Sequence, residues 1–208
     1  MIITEIKKSK QPMKYHLYVD DVFFGVFLDE TLAKFNLKTG QEIDEELLYN
    51  IKEENDEKLA FLTAVNYLER YNVSTKGLKD YLYRKNFKKN NIESAVEKLK
   101  EYGYLDDRNF AKNYFEALSS TKGKRVIINK LKEKGISGEI IDELVEDVSD
   151  EVEEERARLL AEKFAKNREN TLKNKQKCFA HLVYKGYSYS VAQKIVNELF
   201  LGAEDDRF

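Results

Sequence analysis

Proline is almost missing from this 208-residue chain: Pro12 stands alone where an average usage of about 5% would supply about ten. Proline is the residue that most often interrupts helices, so its scarcity sets aside all-β sandwiches, collagen-like repeats and Pro-rich disorder. There is also a single cysteine, Cys178, which rules out an internal disulfide and a stapled secreted fold. No apolar run approaches the roughly 18 residues needed to span a bilayer, and the N-terminus has no signal-like apolar core. A cytoplasmic, mainly helical, monomeric protein without a membrane partner is expected.

The first residues read differently from the rest. Lys14–Val19 and Val22–Leu28 are aromatic and β-branched runs flanking Asp20-Asp21, the pattern of a hairpin. A strand at Ile2–Ile6 can pair with it. Asp29 is positioned to cap a short helix carrying Leu32 and Phe35, closed by Lys38-Thr39-Gly40. Residues 1–53 form a small β-containing extension, too short to bury much core alone.

From residue 54 onward the pattern is helical and repeats. Aligned without gaps, Leu82, Leu131 and Leu182 coincide at spacings of 49 and 51 residues. In the same register Ile92, Ile141 and Ala192 coincide, then Ala95, Leu144 and Ile195, then Val96, Val145 and Val196, then Leu99, Val148 and Leu199. Those positions follow one face of a helix. Asn86, Gly135 and Gly186 stand where the preceding helix must end in a positive-φ residue, with an apolar residue next that folds back. Asn90 with Glu93, Ser137 and Ser188 read as N-caps of the outgoing helix. A further helix precedes each pair, carrying Leu62, Val65 and Leu68, then Phe110, Ala111 and Phe115, then Leu159, Leu160 and Phe164. The expected organisation is three tandem three-helix repeats at 54–104, 105–149 and 150–200, stacked into an elongated, curved body, with an acidic tail at 201–208.

Catalytic constellations are lacking. His16 and His181 belong to no metal-ligand spacing, and His181 reads as a packing residue beside Cys178. Lys173, Lys175 and Lys177 could lower the Cys178 pKa, but a buried, inert thiol is the simpler reading. Gly123-Lys124 lacks the upstream glycine of a phosphate-binding loop, and Asp106-Asp107 reads as a helix start. Neither an enzyme nor a cofactor is expected.

Charge is more informative. The net charge of −2 hides polarisation, because the second helix of each repeat is basic. Lys76, Lys79, Arg84, Lys85, Lys88 and Lys89 face one acid, Asp80. Lys122, Lys124, Arg125, Lys130, Lys132 and Lys134 face Glu133, and Lys173, Lys175, Lys177 and Lys185 face none. Acids gather instead at 139–155, including Asp142, Glu143, Glu146, Asp147, Asp150 and Glu151. If the repeats stack in register, the cations make a basic track suited to a polyanion or an acidic partner, and Tyr81, Tyr83, Tyr184 and Tyr187 could stack on bases. A solvated helix face and core tyrosines are the plainer alternatives. Helix–turn–helix units could also enter a duplex groove directly, although here the cations sit on the first helix of each pair.

These residues resemble the RecX regulators of the RecA recombinase. The resemblance rests on Ala64-Val-Asn-Tyr-Leu68 with Arg70, Ser74 with Leu78 and Leu82, and Tyr104-Leu105-Asp106-Asp107 with Phe110 and Ala111. It continues in Lys122-Gly123 with Arg125, Leu131 with Lys134-Gly135-Ile136, and Gln176-Lys177 with Gly186-Tyr187-Ser188. Lys124 stands where the family's string usually has proline, and Gly77 where an acid often follows the Ser74 cap. The resemblance implies a non-enzymatic protein of three-helix repeats that binds the RecA filament on single-stranded DNA and restrains its ATPase, strand exchange and coprotease functions. It also implies that Ser74, Tyr104, Leu105, Asp106, Asp107, Phe110, Gly123, Gly135 and Gly186 serve the fold, leaving the cations to meet RecA or DNA.

Overall fold

The computed structural model describes residues 1–146 and 149–202. Asp147, Val148 and residues 203–208 of the expected acidic tail lie outside the described residues. The chain divides into two compact units, Met1–Leu105 and Asp106–Phe208.

Unit 1 opens with an antiparallel sheet in the order β1 (Ile3–Lys8), β2 (Lys14–Val19), β3 (Val22–Leu28). The hairpin runs as the sequence predicts. Asp20 and Asp21 both take positive φ, 46° and 65°, the combination whose twist matches that of the flanking strands. β1 begins one residue later than expected and runs on to Lys8. Leu17, Val19, Phe27 and Ile3 turn inward to meet Leu37, Ile43, Leu48 and Ile51.

The short helix α1 (Asp29–Lys34) is capped differently from the expectation. Leu28 occupies the N-cap, Asp29 is the first helical residue, and the helix ends before Asn36, whose φ is 49°. Lys38-Thr39-Gly40 therefore forms a separate turn. Next comes α2 (Glu45–Leu68), which runs straight through residue 53, where the sequence suggests a boundary. Asp44 caps it by accepting from the Leu47 N–H at 3.0 Å. Its first half packs on the sheet and its second half, through Ala64, on α3 (Thr75–Arg84) and α4 (Lys89–Glu101). Leu62, expected in the core, is exposed. The buried stripe instead passes through Ile51, Asn55, Ala60 and Ala64.

Asn55 ties the two halves of unit 1 together. Its Oδ1 accepts from the Leu28 N–H at 2.9 Å and its Nδ2 donates to the Val26 carbonyl at 2.8 Å. The side chain thus satisfies backbone groups at the end of β3 that the sheet leaves open, inside a site with no access to water.

Unit 2 holds two further triplets: α5 (Asp107–Ser119), α6 (Lys124–Glu133) and α7 (Gly138–Glu146), then α8 (Asp150–Ala165), α9 (Leu172–Lys185) and α10 (Tyr189–Leu199). Each has its own apolar core, one around Phe110, Phe115, Ile127, Leu131 and Ile141, the other around Ala157, Ala161, Leu182, Ile195 and Val196. Leu159, expected inward, is 61% exposed, because the inward face of α8 is built from its alanines.

The repeat register holds where it is described. Leu82, Leu131 and Leu182 are fully buried, as are Ile92 and Ala192, with Ile141 nearly so. Asn86, Gly135 and Gly186 have φ of 63°, 79° and 100°. The N–H groups of Phe87, Ile136 and Tyr187 then return to the carbonyls of Leu82, Leu131 and Leu182 at 3.3, 3.1 and 3.1 Å. Those bonds close three equivalent left-handed caps. Ser188 caps α10 through the Val191 N–H at 3.2 Å. Asn90 does not cap α4: Lys88 takes that position without a side-chain bond, and Asn90 lies inside the first turn.

Replacing Asn55 by alanine strands the Leu28 N–H and the Val26 carbonyl. It should destabilise the protein by about 2–6 kcal/mol, two orphaned buried groups at about 1–3 each. Asn66→Ala, at an exposed site of the same helix, should change stability by less than about 0.5 kcal/mol. Urea unfolding of both variants checks the contrast.

Candidate binding surface

The second helices carry the cations that the sequence singles out, but the structure divides them into committed and uncommitted groups. On α3 and the turn after it, Lys79, Arg84 and Lys85 flank the buried Leu78–Leu82 face and make no ion pair among the described residues. Lys88 is committed: its ammonium pairs with Glu53 of α2, which holds its pKa above the usual lysine value. On α6, Arg125 and Lys130 lie off the Ile127–Leu131 face, and Lys134 follows the last turn; on α9, Lys173, Lys175 and Lys177 precede the buried Cys178. Arg125, Lys130 and these three α9 lysines form no ion pair among the described residues.

Lys124 is the exception on α6. Its Nζ sits 3.5 Å from both Asp150 and Glu153, and its backbone N–H donates to Glu153 Oε1 at 3.0 Å. The residue faces α8 and is only 17% exposed at its side chain, so it joins α6 to α8 rather than facing a partner. Glu153 lies in a run of carboxylates, and no feature of the sequence distinguishes it from Glu154 or Glu155.

Beside this ion pair, Gly123 meets the turn after α9 backbone to backbone. Its N–H donates to the Lys185 carbonyl at 2.9 Å, and the Arg125 N–H reaches the Gly186 carbonyl at 3.3 Å. A Cβ on Gly123 would stand 2.5 Å from the Gly186 carbonyl carbon, a separation that real Cβ atoms do not show. Gly186 therefore has two tasks, a positive φ and close approach to α6. The Lys122-Gly123 string is a packing junction, and Lys122 reaches the face of Tyr184, with its Nζ 6.0 Å from the ring centroid.

The tyrosines divide in the same way. Tyr187 is buried at this junction, where burial pushes its phenol up to about 12, so it has no face for a base. Tyr81 is stacked on Tyr67, whereas Tyr83 and Tyr184 are exposed. Of the motif residues, Ser74 caps α3 through the Gly77 N–H at 3.2 Å, so glycine at that position keeps the backbone half of the cap. Asp106 caps α5 through the Arg108 and Asn109 N–H groups at 2.8 and 3.1 Å, and Asp107 is the first helical residue. Leu105 and Phe110 are buried, but Tyr104 is 66% exposed and edges against Tyr102.

Burial raises the Cys178 thiol to about 11, outweighing the positive charge of Arg168, which acts the other way. His181 leans on the Phe164 ring at 5.1 Å, and burial lowers its pKa. Among the described residues no cluster of His, Cys, Asp or Glu is arranged to hold a metal, and no helix is long and apolar enough to cross a membrane.

The fold and the repeated left-handed caps define a tandem three-helix repeat protein. Family models for the second and third three-helix domains of RecX match residues 106–145 and 151–196. The regulatory protein RecX of Clostridioides difficile is 34% identical over 203 residues, 95% of each chain. That of Bacillus licheniformis is 35% identical over 94% of this chain and 76% of its own. A crystal structure of a regulatory protein RecX superposes with a TM-score of 0.68 at 26% identity, covering 93% of this chain and 98% of its own. RecX from Lactobacillus salivarius gives 0.64 at 28% identity, over 71% of this chain and 99% of its own. The chain belongs to the RecX family of regulatory proteins.

Gly123→Ala should destabilise the protein by about 2 kcal/mol or more, because backbone rather than a movable side chain blocks the methyl group. Thermal unfolding of this variant beside Gly138→Ala, where a Cβ meets nothing, checks it. Cys178 should resist a thiol reagent at pH 8 in the folded protein and react fully in denaturant, as a protonated, buried thiol requires.

Proposed function

We propose that this chain binds the RecA filament on single-stranded DNA and restrains its ATPase, strand-exchange and coprotease activities without catalysing a reaction itself. The observation that carries this reading is the likeness to RecX regulatory proteins along nearly the whole chain, 95% of it in the Clostridioides difficile relative. The uncommitted cations support it. Arg125, Lys130, Lys173, Lys175 and Lys177 form no ion pair among the described residues of unit 2, and an acidic filament surface or a phosphate backbone supplies the opposite charge. The protein acts as a monomer in the cytoplasm, with the 54–104, 105–149 and 150–200 triplets as its working modules.

Direct reading of duplex DNA by a recognition helix is the weaker alternative. That role falls to the last helix of a helix–turn–helix pair. Here α7 carries Glu139, Asp142, Glu143 and Glu146, which would meet phosphates with like charge.

The single-stranded-DNA-dependent ATPase of the cognate RecA tests the proposal. Wild-type protein at modest excess should inhibit it, and no effect would overturn the reading. The double variant Arg125→Glu, Lys130→Glu should inhibit at least about fivefold less and lose part of its salt sensitivity, because its contacts are electrostatic. Lys124 is unsuitable for this comparison, since reversing it would repel Glu153 and perturb the α6–α8 junction.

A further inference from the structure

Unit 1 contains an open groove of about 1090 Å³ whose lining comes from β2 and the loop before it, β3, α2, α3 and the segments that follow these two helices. Among the described residues four cations line it, Lys14, Arg70, Arg84 and Lys85, and no carboxylate does. None of the four makes an ion pair among the described residues. This is not a shortage of acid nearby. Along α2, Glu53, Glu54, Asp56 and Glu57 are all engaged, by Lys88, by Lys34 and Lys58, by Lys52 and by Lys98 respectively. These four carboxylates are thus paired off away from the groove. The Lys14 ammonium donates to the neutral Gln11 Oε1 at 2.9 Å, and burial lowers its pKa.

The same groove holds a run of aromatic rings. Tyr81 and Tyr67 stack at 3.7 Å with planes 6° apart, and Tyr71 follows 4.9 Å from Tyr67. Tyr71 ends the run and is 54% exposed, which leaves ring surface open. Lys85 Nζ lies 5.6 Å from the Tyr81 centroid, next to the run. An acidic peptide would need only the cations. Flat rings interleaved with cations suit a ligand that offers both phosphates and unpaired bases, since every base has a face to stack.

We propose that this groove binds a short stretch of single-stranded nucleic acid, with phosphates on Lys14, Arg70, Arg84 and Lys85 and a base stacked on Tyr71. The inference rests on the function proposed above and assigns it a second contact, in unit 1, apart from the α6 and α9 cations. It also gives the N-terminal sheet a role, because β2 and β3 supply part of the groove. Recognition there is sequence-tolerant, as stacking and phosphate contacts carry no base-edge readout.

Fluorescence anisotropy of the full chain with a labelled oligothymidylate, without RecA, tests this. Wild type should bind, with affinity falling as salt rises. Arg70→Glu with Arg84→Glu should weaken binding at least about tenfold and flatten the log–log salt slope by about 1.4, two phosphates at about 0.7 each. Tyr71→Ala should weaken binding about fivefold or more, and Tyr71→Phe should retain it. Thermal unfolding confirms that each variant folds. Variants within twofold of wild type would overturn the proposal, as would a wild type that does not bind the oligonucleotide. If wild type ignores the oligonucleotide while the groove variants no longer inhibit RecA, a protein segment occupies the groove and the proposal is again overturned. RecA inhibition by wild type is measured in parallel. Its presence with a failed groove leaves the proposed function standing, and its absence defeats that function whatever the oligonucleotide shows.

Discussion

One backbone residue in each triplet must take a positive φ, and the reversal from second to third helix follows from it. A residue with a Cβ resists that conformation by about 1–2 kcal/mol, so glycine or asparagine is selected there. Asn86, Gly135 and Gly186 meet the requirement, and the next residue is then aimed back at the helix it has just left. Phe87, Ile136 and Tyr187 consequently fall against the cores built on Leu82, Leu131 and Leu182. The cap and the core form together: without the left-handed residue the apolar side chain would point elsewhere, and without the apolar side chain the turn would have little to hold it. This is why the alignment on those leucines extends into the third helix without gaps.

Part of the charge is neutralised locally. Between α2 and α4 the Glu57 carboxylate accepts from Ser94 and Lys98 at 2.5 and 2.7 Å. Its pKa is held down by those two bonds. Exposed pairs of this kind contribute little to stability individually, roughly 0–1 kcal/mol. Their larger effect is on what is left over. Arg125 and Lys130 of α6, Lys173, Lys175 and Lys177 of α9, and the cations lining the unit 1 groove have no such opposite number among the described residues, so the surface field is set by residues that pairing has not consumed.

Much of this architecture was legible in the sequence because periodicity and turn chemistry are local. The Asp20-Asp21 hairpin, the three left-handed caps and the Ser188 N-cap each depend on residues within one turn of one another. What was illegible depends on distant neighbours. Asn55 is an unremarkable polar residue inside a helix until β3 arrives above it. Leu62 and Leu159 fit a helical stripe, yet small residues, Ala60 and Ala64 or Ala157 and Ala161, form the inward faces. Charge type was readable but not charge commitment. Lys88, Lys124, Arg125 and Lys130 look alike in sequence, and only the opposing helix separates the first two from the others.

Lys124 shows how such a commitment can arise. It is the first residue of α6, a position where the helix leaves an N–H without an internal acceptor and where proline is therefore well tolerated. The family's usual proline at this point needs no partner. A lysine brings back the N–H and adds a charge, and both would be unfavourable if left alone at a half-buried junction. In this chain Glu153 answers both, accepting the N–H at 3.0 Å and lying 3.5 Å from Nζ. The departure from the family string is thus balanced by a carboxylate one helix away, while Gly123, on which the backbone contact with Gly186 depends, is retained. A string shared across a family can in this way mark a point of close packing, where the residue that contacts nothing but backbone is the one least free to change.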